Sequence, residues 1–226
     1  MALLARTTRA RGLGAGWASR LLSRTAVSTV KPGDTTLLRV LSRTVAKNQA
    51  GRERRAGRVP ALIYGLSQHN IPISVNAIEL RPYFRRNDFY NRVLELELPD
   101  GAGVIRALPR ELEVDFETMQ PNYVTFLRWP EDLEKNPQMV PVPVQVINED
   151  LSPGVKAGHF CYKIFKTWRF KVFKEPIISS IVVDAGPLNL GNGIKLSSLV
   201  IPEGHVSIPQ GQLIDPTLVK VIKSGN

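Results

Sequence analysis

Short apolar runs broken by turn residues constrain the fold of this chain more than any other feature. The sequence holds 17 prolines and 17 glycines, which favours strands and turns over long helices. In the clearest run, Val93 to Leu98, leucines alternate with Glu95 and Glu97 as in a half-buried antiparallel strand. A Pro-Asp-Gly turn follows at 99–101, and residues 103–108 return as a hairpin partner. The sequence therefore predicts a mainly β protein.

The predicted strands fall into two groups. The first group, at 59–64, 71–75, 93–98, 103–108 and 123–129, predicts a β-barrel-like domain over residues 46–129. It includes one short helix, which Asn76 caps and which is expected to bury Ile78, Leu80, Tyr83 and Phe84. The polar segment 130–138 is the expected linker, and 139–226 the expected second β-rich domain. Pro141 and Pro143 place its first strand at a sheet edge, because proline donates no ladder hydrogen bond.

Residues 1–45 carry most of the positive charge. They contribute +7 of the net charge of +10, and residues 1–33 contain no acidic residue. Arginines spaced among Ala, Leu, Ser and Thr are typical of an organellar transit peptide. We therefore expect residues 1–45 to be a transit peptide or disordered extension, with cleavage between about residues 20 and 45. The mitochondrial matrix is the expected destination, and plastid import is the alternative because the two transit compositions overlap.

A basic stretch precedes the first predicted strand. Arg52, Arg54, Arg55 and Arg58 come before the apolar run Val59–Tyr64, which ends at a glycine. Basic side chains that neutralise phosphates release counterions and supply most non-specific affinity for nucleic acid. A basic arm rooted in a buried strand therefore suits an RNA backbone. The alternative is a solvated basic loop before an ordinary strand, since short basic runs are weak signals.

This stretch also carries a family resemblance. The segment AGRERRAGRVPALIYG, from Ala50 to Gly65, resembles the opening of the bacterial-type ribosomal protein L-twenty-five family, whose long form is called CTC or general stress protein. Later landmarks follow in the family's order, at 89–94, 123–128, 140–144, 154–158, 190–199 and 202–204. The resemblance covers about residues 46–223, since its landmarks run through both predicted domains.

The resemblance implies a large-subunit ribosomal protein whose barrel domain binds 5S ribosomal RNA. The rRNA-binding residues that it implies are Lys47, Arg52, Arg54, Arg55, Arg58, Tyr64, Arg106, Tyr123, Thr125 and Arg128. The family usually has a His and an Asp, two residues apart, where this chain has Tyr123 and Thr125. Since phosphate contacts position and base contacts specify, we expect backbone binding with altered or lost 5S recognition. Tyr123 either stacks on an unpaired base or belongs to the core.

The second predicted domain contains its own basic and aromatic run, residues 160–173. Such a run can hold RNA through charge and stacking. The alternative is a strand with a buried aromatic face and a solvated charged face. The resemblance implies that this domain contacts neighbouring large-subunit proteins or rRNA.

Catalytic and metal chemistry find little support. His69, His159 and His205 are far apart, and Cys161 lies between two aromatic residues, as a buried thiol would. No cofactor motif is present, and no apolar run is long enough to span a bilayer. We therefore expect a structural, rRNA-binding protein of the mitochondrial large ribosomal subunit, not an enzyme and not a membrane protein. The alternative is an organellar RNA-binding stress or chaperone protein that acts off the ribosome.

Overall fold

A computed structural model describes residues 26–29, 36–101, 103–209 and 215–223. The first domain holds strands β2 (Thr36–Ser42), β3 (Arg58–Tyr64), β4 (Ile71–Asn76), β5 (Leu94–Glu97), β6 (Val104–Val114) and β7 (Pro121–Arg128), with helices α1 (Gln49–Arg55) and α2 (Ala77–Phe84). The second holds β1 (Ala26–Thr29), β8 (Gln138–Ile147), α3 (Pro153–Lys156), β9 (Phe160–Lys163), β10 (Thr167–Val172), β11 (Ile178–Asp184), β12 (Gly193–Lys195), β13 (His205–Ser207) and β14 (Thr217–Ile222). The mainly β prediction is confirmed.

The first domain is a closed barrel in the order β2-β4-β3-β7-β6-β5. Two strand pairs, β2–β5 and β3–β7, are parallel, and the others are antiparallel. Side chains alternate across each strand, so every second residue points into the barrel. The interior is filled by apolar residues that include Leu38, Ile63, Leu96 and Phe126, all almost fully buried.

Strand β2 corrects the expected start of this domain. Residues 36–42 fall within the predicted leader, yet β2 pairs with β4 and β5 and closes the barrel. Leu38 and Val40 point inward and are buried, whereas Leu37 and Leu41 are half-exposed. Because leucines lie on both faces of β2, the sequence does not show the alternation of apolar and polar residues that would have predicted this strand. The predicted leader arginines before residue 25 lie outside the described residues.

The second domain has two sheets, a five-stranded one in the order β1-β11-β8-β10-β13 and a three-stranded one in the order β12-β14-β9. Its core includes Trp168, Phe170, Ile181 and Val219. Residues 26–29, also within the predicted leader, form β1 at the edge of the larger sheet beside β11. The basic and aromatic run divides between the two sheets, because β9 and β10 pair with different strands.

Strand β8 lies inside the larger sheet, so its predicted edge position is wrong. It pairs with β10 through residues 138–143 and with β11 only from Val144 onward. The amide of Val144 donates to Lys166 O on the β10 side. Backbone direction alternates along a strand, so the nitrogens of Pro141 and Pro143 face away from β10. On that side β11 pairs only from Val144 onward, so the two prolines interrupt no ladder hydrogen bond.

Helix α2 begins where the sequence predicts. Asn76 Oδ1 accepts a hydrogen bond from the Ile78 amide at 3.0 Å, as an N-cap does. Leu80 is fully buried, but Ile78 is 80 % exposed, so its predicted burial is wrong. In the first turn of this short helix, the Ile78 side chain projects away from the barrel that Leu80 covers.

The two domains pack against each other through an apolar cluster and polar contacts. Leu108 and Trp129 of the barrel domain meet Val140, Val172 and Ile177 of the second domain. The cluster also takes in Leu133, which is 7 % exposed, from the segment predicted as a polar linker. This segment therefore contributes to the junction as well as connecting the domains.

Candidate RNA interface

Helix α1 presents the basic stretch on the outside of the barrel. It is held there by Glu53, whose side chain is buried. Glu53 Oε2 accepts a hydrogen bond from Arg58 Nε of β3 at 2.5 Å, and Oε1 accepts one from Gln49 Nε2 at 3.2 Å. Ser74 of β4 also hydrogen-bonds this carboxylate. The expected flexible arm is thus a short helix attached to two barrel strands.

The other charged residues of α1 face outward. Arg52, Arg54 and Arg55 are exposed, as is Lys47 just before the helix. Arg54 Nε donates to Asn122 O at 2.9 Å, which holds this side chain against the start of β7. All three arginines lie in the last turn, where positive charge interacts favourably with the helix dipole. The one carboxylate of α1, Glu53, is buried and paired with Arg58, so the exposed face of the helix can meet an anionic backbone.

Gly57 allows the chain to reverse between α1 and β3. Its φ of +73° lies in the left-handed region that favours glycine. Its carbonyl oxygen accepts a hydrogen bond from the Ala77 amide at 3.1 Å, which ties the turn to the start of α2. The arginine helix is thus fixed at its carboxyl end by the barrel as well.

Arg58 is occupied by its ion pair with Glu53. The hydrogen bond and charge of Arg58 lower the pKa of Glu53, although burial of the carboxylate opposes this shift. Glu53 in turn raises the pKa of Arg58. The Arg58 side chain is 38 % exposed, so N–H groups that do not bind Glu53 can still face an RNA backbone. The Nε–H group of this predicted site residue is structural.

Tyr64 and Tyr123 lie on the outer face of the barrel; Tyr123 follows Asn122, which Arg54 of α1 contacts, and Tyr64 is close enough to act on Tyr123. Both are half-buried. Burial raises the pKa of Tyr123, the charge of Arg43 lowers it, and Glu111 and Tyr64 add to the rise. The phenol therefore stays protonated at neutral pH and can donate a hydrogen bond. Tyr123 is neither fully buried, as a core residue would be, nor fully exposed, as a residue of an open stacking surface would be.

Thr125 and Arg128 are buried structural residues. Thr125 Oγ1 accepts a hydrogen bond from the Glu111 amide at 3.1 Å, at the point where the β6–β7 register shifts. Arg128 is 5 % exposed and donates to the carbonyl oxygens of Gly65 and His69 at 3.1 and 2.5 Å. The guanidinium thus holds the β3–β4 connection, and neither side chain is exposed for contact with RNA.

Arg106 lies at the domain junction. Its Nη2 forms an ion pair with Glu175 Oε1 of the second domain at 2.6 Å. The same oxygen accepts a hydrogen bond from Trp129 Nε1 at 2.9 Å. The structure therefore brings together Lys47, the α1 arginines, Arg58, Tyr64 and Tyr123, and separates Arg106 from them.

Sequence reasoning missed Arg43 because it was assigned to the leader. It follows β2 directly, its backbone amide donates to Pro72 O, and its charge acts on Tyr123. Among the described residues, its buried Nε has no hydrogen-bond partner. Arg43 lies three positions after the inward-facing Val40, so strand alternation would have predicted an outward-facing cation here once β2 was recognised.

Other chemistry finds no structural support among the described residues. They contain no cluster of three or more His, Cys, Asp or Glu that could hold a metal ion. None of the described helices combines the length and apolar character needed to cross a bilayer. Burial raises the pKa of the Cys161 thiol, which disfavours the reactive thiolate.

Comparison with known proteins gives two domain matches. Residues 38–126 match the Ribosomal L25p family, and residues 138–224 match a family described as ribosomal protein TL5, C-terminal domain. Relatives named large ribosomal subunit protein bL25 match along both domains, among them the following three. The one from Rhodopseudomonas palustris (strain BisA53) is 34 % identical over 179 residues, which cover 79 % of this chain and 74 % of the relative. The one from Rhizorhabdus wittichii is 32 % identical and covers 77 % of this chain and 87 % of the relative. The one from Methylobacterium radiotolerans is 31 % identical and covers 81 % of each.

Proposed function

This chain belongs to the ribosomal L25p family, and from that premise we propose that it is a structural component of a large ribosomal subunit that binds rRNA through α1. The family consists of ribosomal proteins and not of enzymes. The observation that carries the proposal is the placement of Arg52, Arg54 and Arg55 on a helix that Glu53 anchors to the barrel.

The proposed contact is mainly with phosphates. Three exposed guanidinium groups and Lys47 project from one short segment, so they can neutralise neighbouring phosphates and release counterions. Guanidinium suits this task because its planar fork matches the oxygens of a phosphate. Arg58, Tyr64 and Tyr123 border the same surface and complete the proposed site.

Recognition of 5S rRNA is altered or lost in this proposal. Tyr123 and Thr125 occupy the places where the family usually has a His and an Asp, and Thr125 is buried. The backbone contacts persist while two base-reading side chains are replaced, which reduces sequence discrimination more than affinity. The proposed partner is therefore 5S rRNA, its replacement, or nearby large-subunit rRNA held by its backbone.

We also propose that the ribosome concerned is organellar, with the mitochondrial matrix as the location. The arginine-rich, acid-poor residues 1–25 support an import leader. Since β1 and β2 belong to the two folded domains, the expected cleavage lies before these strands. Neighbouring large-subunit proteins are the proposed partners of the remaining surface.

Sedimentation tests the ribosomal role. The chain should travel with the large subunit in a sucrose gradient of mitochondrial lysate at moderate salt. A triple variant, Arg52→Gln, Arg54→Gln and Arg55→Gln, should shift toward the top of the gradient. The matched control, Lys156→Gln, Lys220→Gln and Lys223→Gln, removes the same charge from exposed sites on the second domain and should stay bound. Wild-type protein at the top of the gradient would favour the off-ribosome stress or chaperone role instead.

Filter binding tests the loss of 5S recognition. The protein should bind 5S rRNA and an unrelated folded RNA with similar affinity at one salt concentration. A large preference for 5S rRNA at that salt would contradict the altered recognition but leave rRNA binding intact.

A further inference from the structure

The outer face of the larger sheet in the second domain carries cations. In β10, Trp168, Phe170 and Val172 point into the core, while Thr167, Arg169 and Lys171 are exposed. The aromatic side chains of β10 are therefore buried and cannot stack on RNA bases. The prediction that this strand binds RNA through aromatic stacking is excluded. The charged face remains, and the exposed Lys166, just before the strand, lines the same cavity as Arg169.

The strands that carry and flank these cations contribute no acidic side chain. Strands β8, β10 and β13 contain no Asp or Glu. Among the described residues, no ion pair involves Lys166, Arg169 or Lys171. Lys171 Nζ lies 5.4 Å from the centroid of the Phe173 ring, a contact that leaves the side chain exposed. The face therefore presents three cations that no described ion pair neutralises.

A cavity of about 580 Å³ opens beside these cations. Lys166 and Arg169 line it together with Ile164, Phe165, Met139 and Ile208. Its volume lies within the range of small-molecule sites, roughly 300–1,000 Å³. Phe165 is held edge-on to Trp168, with ring centroids 5.1 Å apart, so this wall is fixed by the core. The lining combines polar and apolar groups, and the apolar side chains beside two cations suit a flat base joined to a phosphate.

We propose that this face, defined by Lys166, Arg169, Lys171 and the adjoining cavity, is a second RNA-binding surface that takes an unpaired nucleotide of a single-stranded rRNA segment. The cavity receives the base, and the three cations contact the phosphates on either side. The inference rests on the proposed ribosomal function and names a second contact for it.

This surface is separate from the α1 surface. Glu111 and Glu113 are exposed on the outer face of β6, opposite Thr125 and Tyr123 of β7. Their negative charge interrupts the positive potential on the barrel side. Arg110 lies beyond them, with Nη1 donating to Met139 O at 2.7 Å, next to the cavity wall. The two surfaces therefore hold different RNA segments and can be tested independently.

Salt-dependent binding to defined RNAs tests the proposal in the full chain. The probes are an unstructured oligoadenylate and a fully paired hairpin, each titrated over a range of KCl concentrations. The variant is Lys166→Gln, Arg169→Gln and Lys171→Gln, and the control is Lys156→Gln, Lys220→Gln and Lys223→Gln. For oligoadenylate, log affinity falls as log salt rises, and the variant should make this slope less steep by about 2. That change corresponds to the loss of three single-strand phosphate contacts. Binding to the hairpin should weaken less than binding to oligoadenylate. The control variant should bind both RNAs as the wild type does.

A second pair of variants tests the cavity without changing charge. Ile164→Ala should weaken oligoadenylate binding severalfold and leave the salt slope unchanged, because it removes part of an apolar wall. Val200→Ala, at a site that is 83 % exposed and lies outside the cavity, should have no effect. Equal effects of these two variants would overturn the assignment of the base to the cavity.

The outcomes separate this inference from the proposed function. If the wild type binds neither probe and does not sediment with the large subunit, the proposed function fails. If the α1 variant loses RNA binding but the Lys166, Arg169 and Lys171 variant behaves like its control, only this inference fails. In that case an acidic protein segment would be the better occupant of the face.

Discussion

The Glu53 carboxylate of α1 accepts a hydrogen bond from Arg58 Nε of β3 at 2.5 Å, across the turn that joins the two elements. Glu53 is the single acidic residue within α1, and its side chain is 8 % exposed. One buried carboxylate therefore holds in place the helix that presents three exposed arginines. The charge of Glu53 orients Arg58. Because this carboxylate is buried, the outer face of α1 carries only the positive charge of the arginines.

Replacing Glu53 should loosen α1 in a pH-dependent way. Glu53→Gln should lower the free energy of unfolding by about 1–2 kcal/mol at neutral pH, since a charge-assisted hydrogen bond is lost. The pKa of Glu53 is lowered in the folded state, chiefly by the Arg58 hydrogen bond. Its stabilisation is therefore complete above the unfolded pKa and lost as pH falls through the folded value. Urea unfolding at several pH values should show the difference between variant and wild type shrinking below about pH 4.

Arg128 should prove to be a structural residue and not an RNA contact. Arg128→Lys removes the fork that reaches the carbonyl oxygens of Gly65 and His69, and a lysine cannot reproduce it. We expect a loss of about 2–3 kcal/mol in the free energy of unfolding, because buried carbonyls lose charged donors. The salt slope of RNA binding should stay at the wild-type value at temperatures where the variant is folded. A slope reduced by about 1 would instead assign Arg128 to a phosphate.

The domain junction should depend on Glu175. Glu175→Ala removes the acceptor of both Arg106 Nη2 and Trp129 Nε1. The ion pair is about half-exposed, so we expect a cost of about 1 kcal/mol, mostly from the indole. Trp129 fluorescence should shift to longer wavelength as water reaches the ring. Glu203→Ala, at an exposed carboxylate that makes none of the described ion pairs, is the control and should leave the spectrum unchanged.

Asn91 provides a sharper test of domain packing. Its Nδ2 donates to the carbonyl oxygens of Ile178 and Ser179, at 2.7 and 2.6 Å, and the residue is fully buried. Asn91→Asp places a carboxyl oxygen against these two acceptors, so we expect a loss of about 3 kcal/mol or more. Acidification should reduce the loss, because a protonated carboxyl can donate one hydrogen bond. Asn91→Ala should cost less than Asn91→Asp at neutral pH; the opposite order would contradict the hydrogen-bond assignment.

Local patterns determined much of this protein. Alternating leucines in β5, the apolar run of β3 and the Asn76 cap each specify their element through near neighbours, so these predictions are confirmed. The cations of α1 could also be read directly, because a run of arginines needs no tertiary partner to be charged. The family resemblance followed from the same segments.

Tertiary structure decided what local patterns could not. Strand β2 depends on pairing with β4 and β5, and the place of β8 depends on where β11 joins it. Arg106 and Arg128 look like RNA-binding residues in the sequence, yet their partners lie 69 and about 60 positions away. A charge is a property of the residue, but whether it faces a phosphate or a carbonyl is set by chain segments that only the fold brings together.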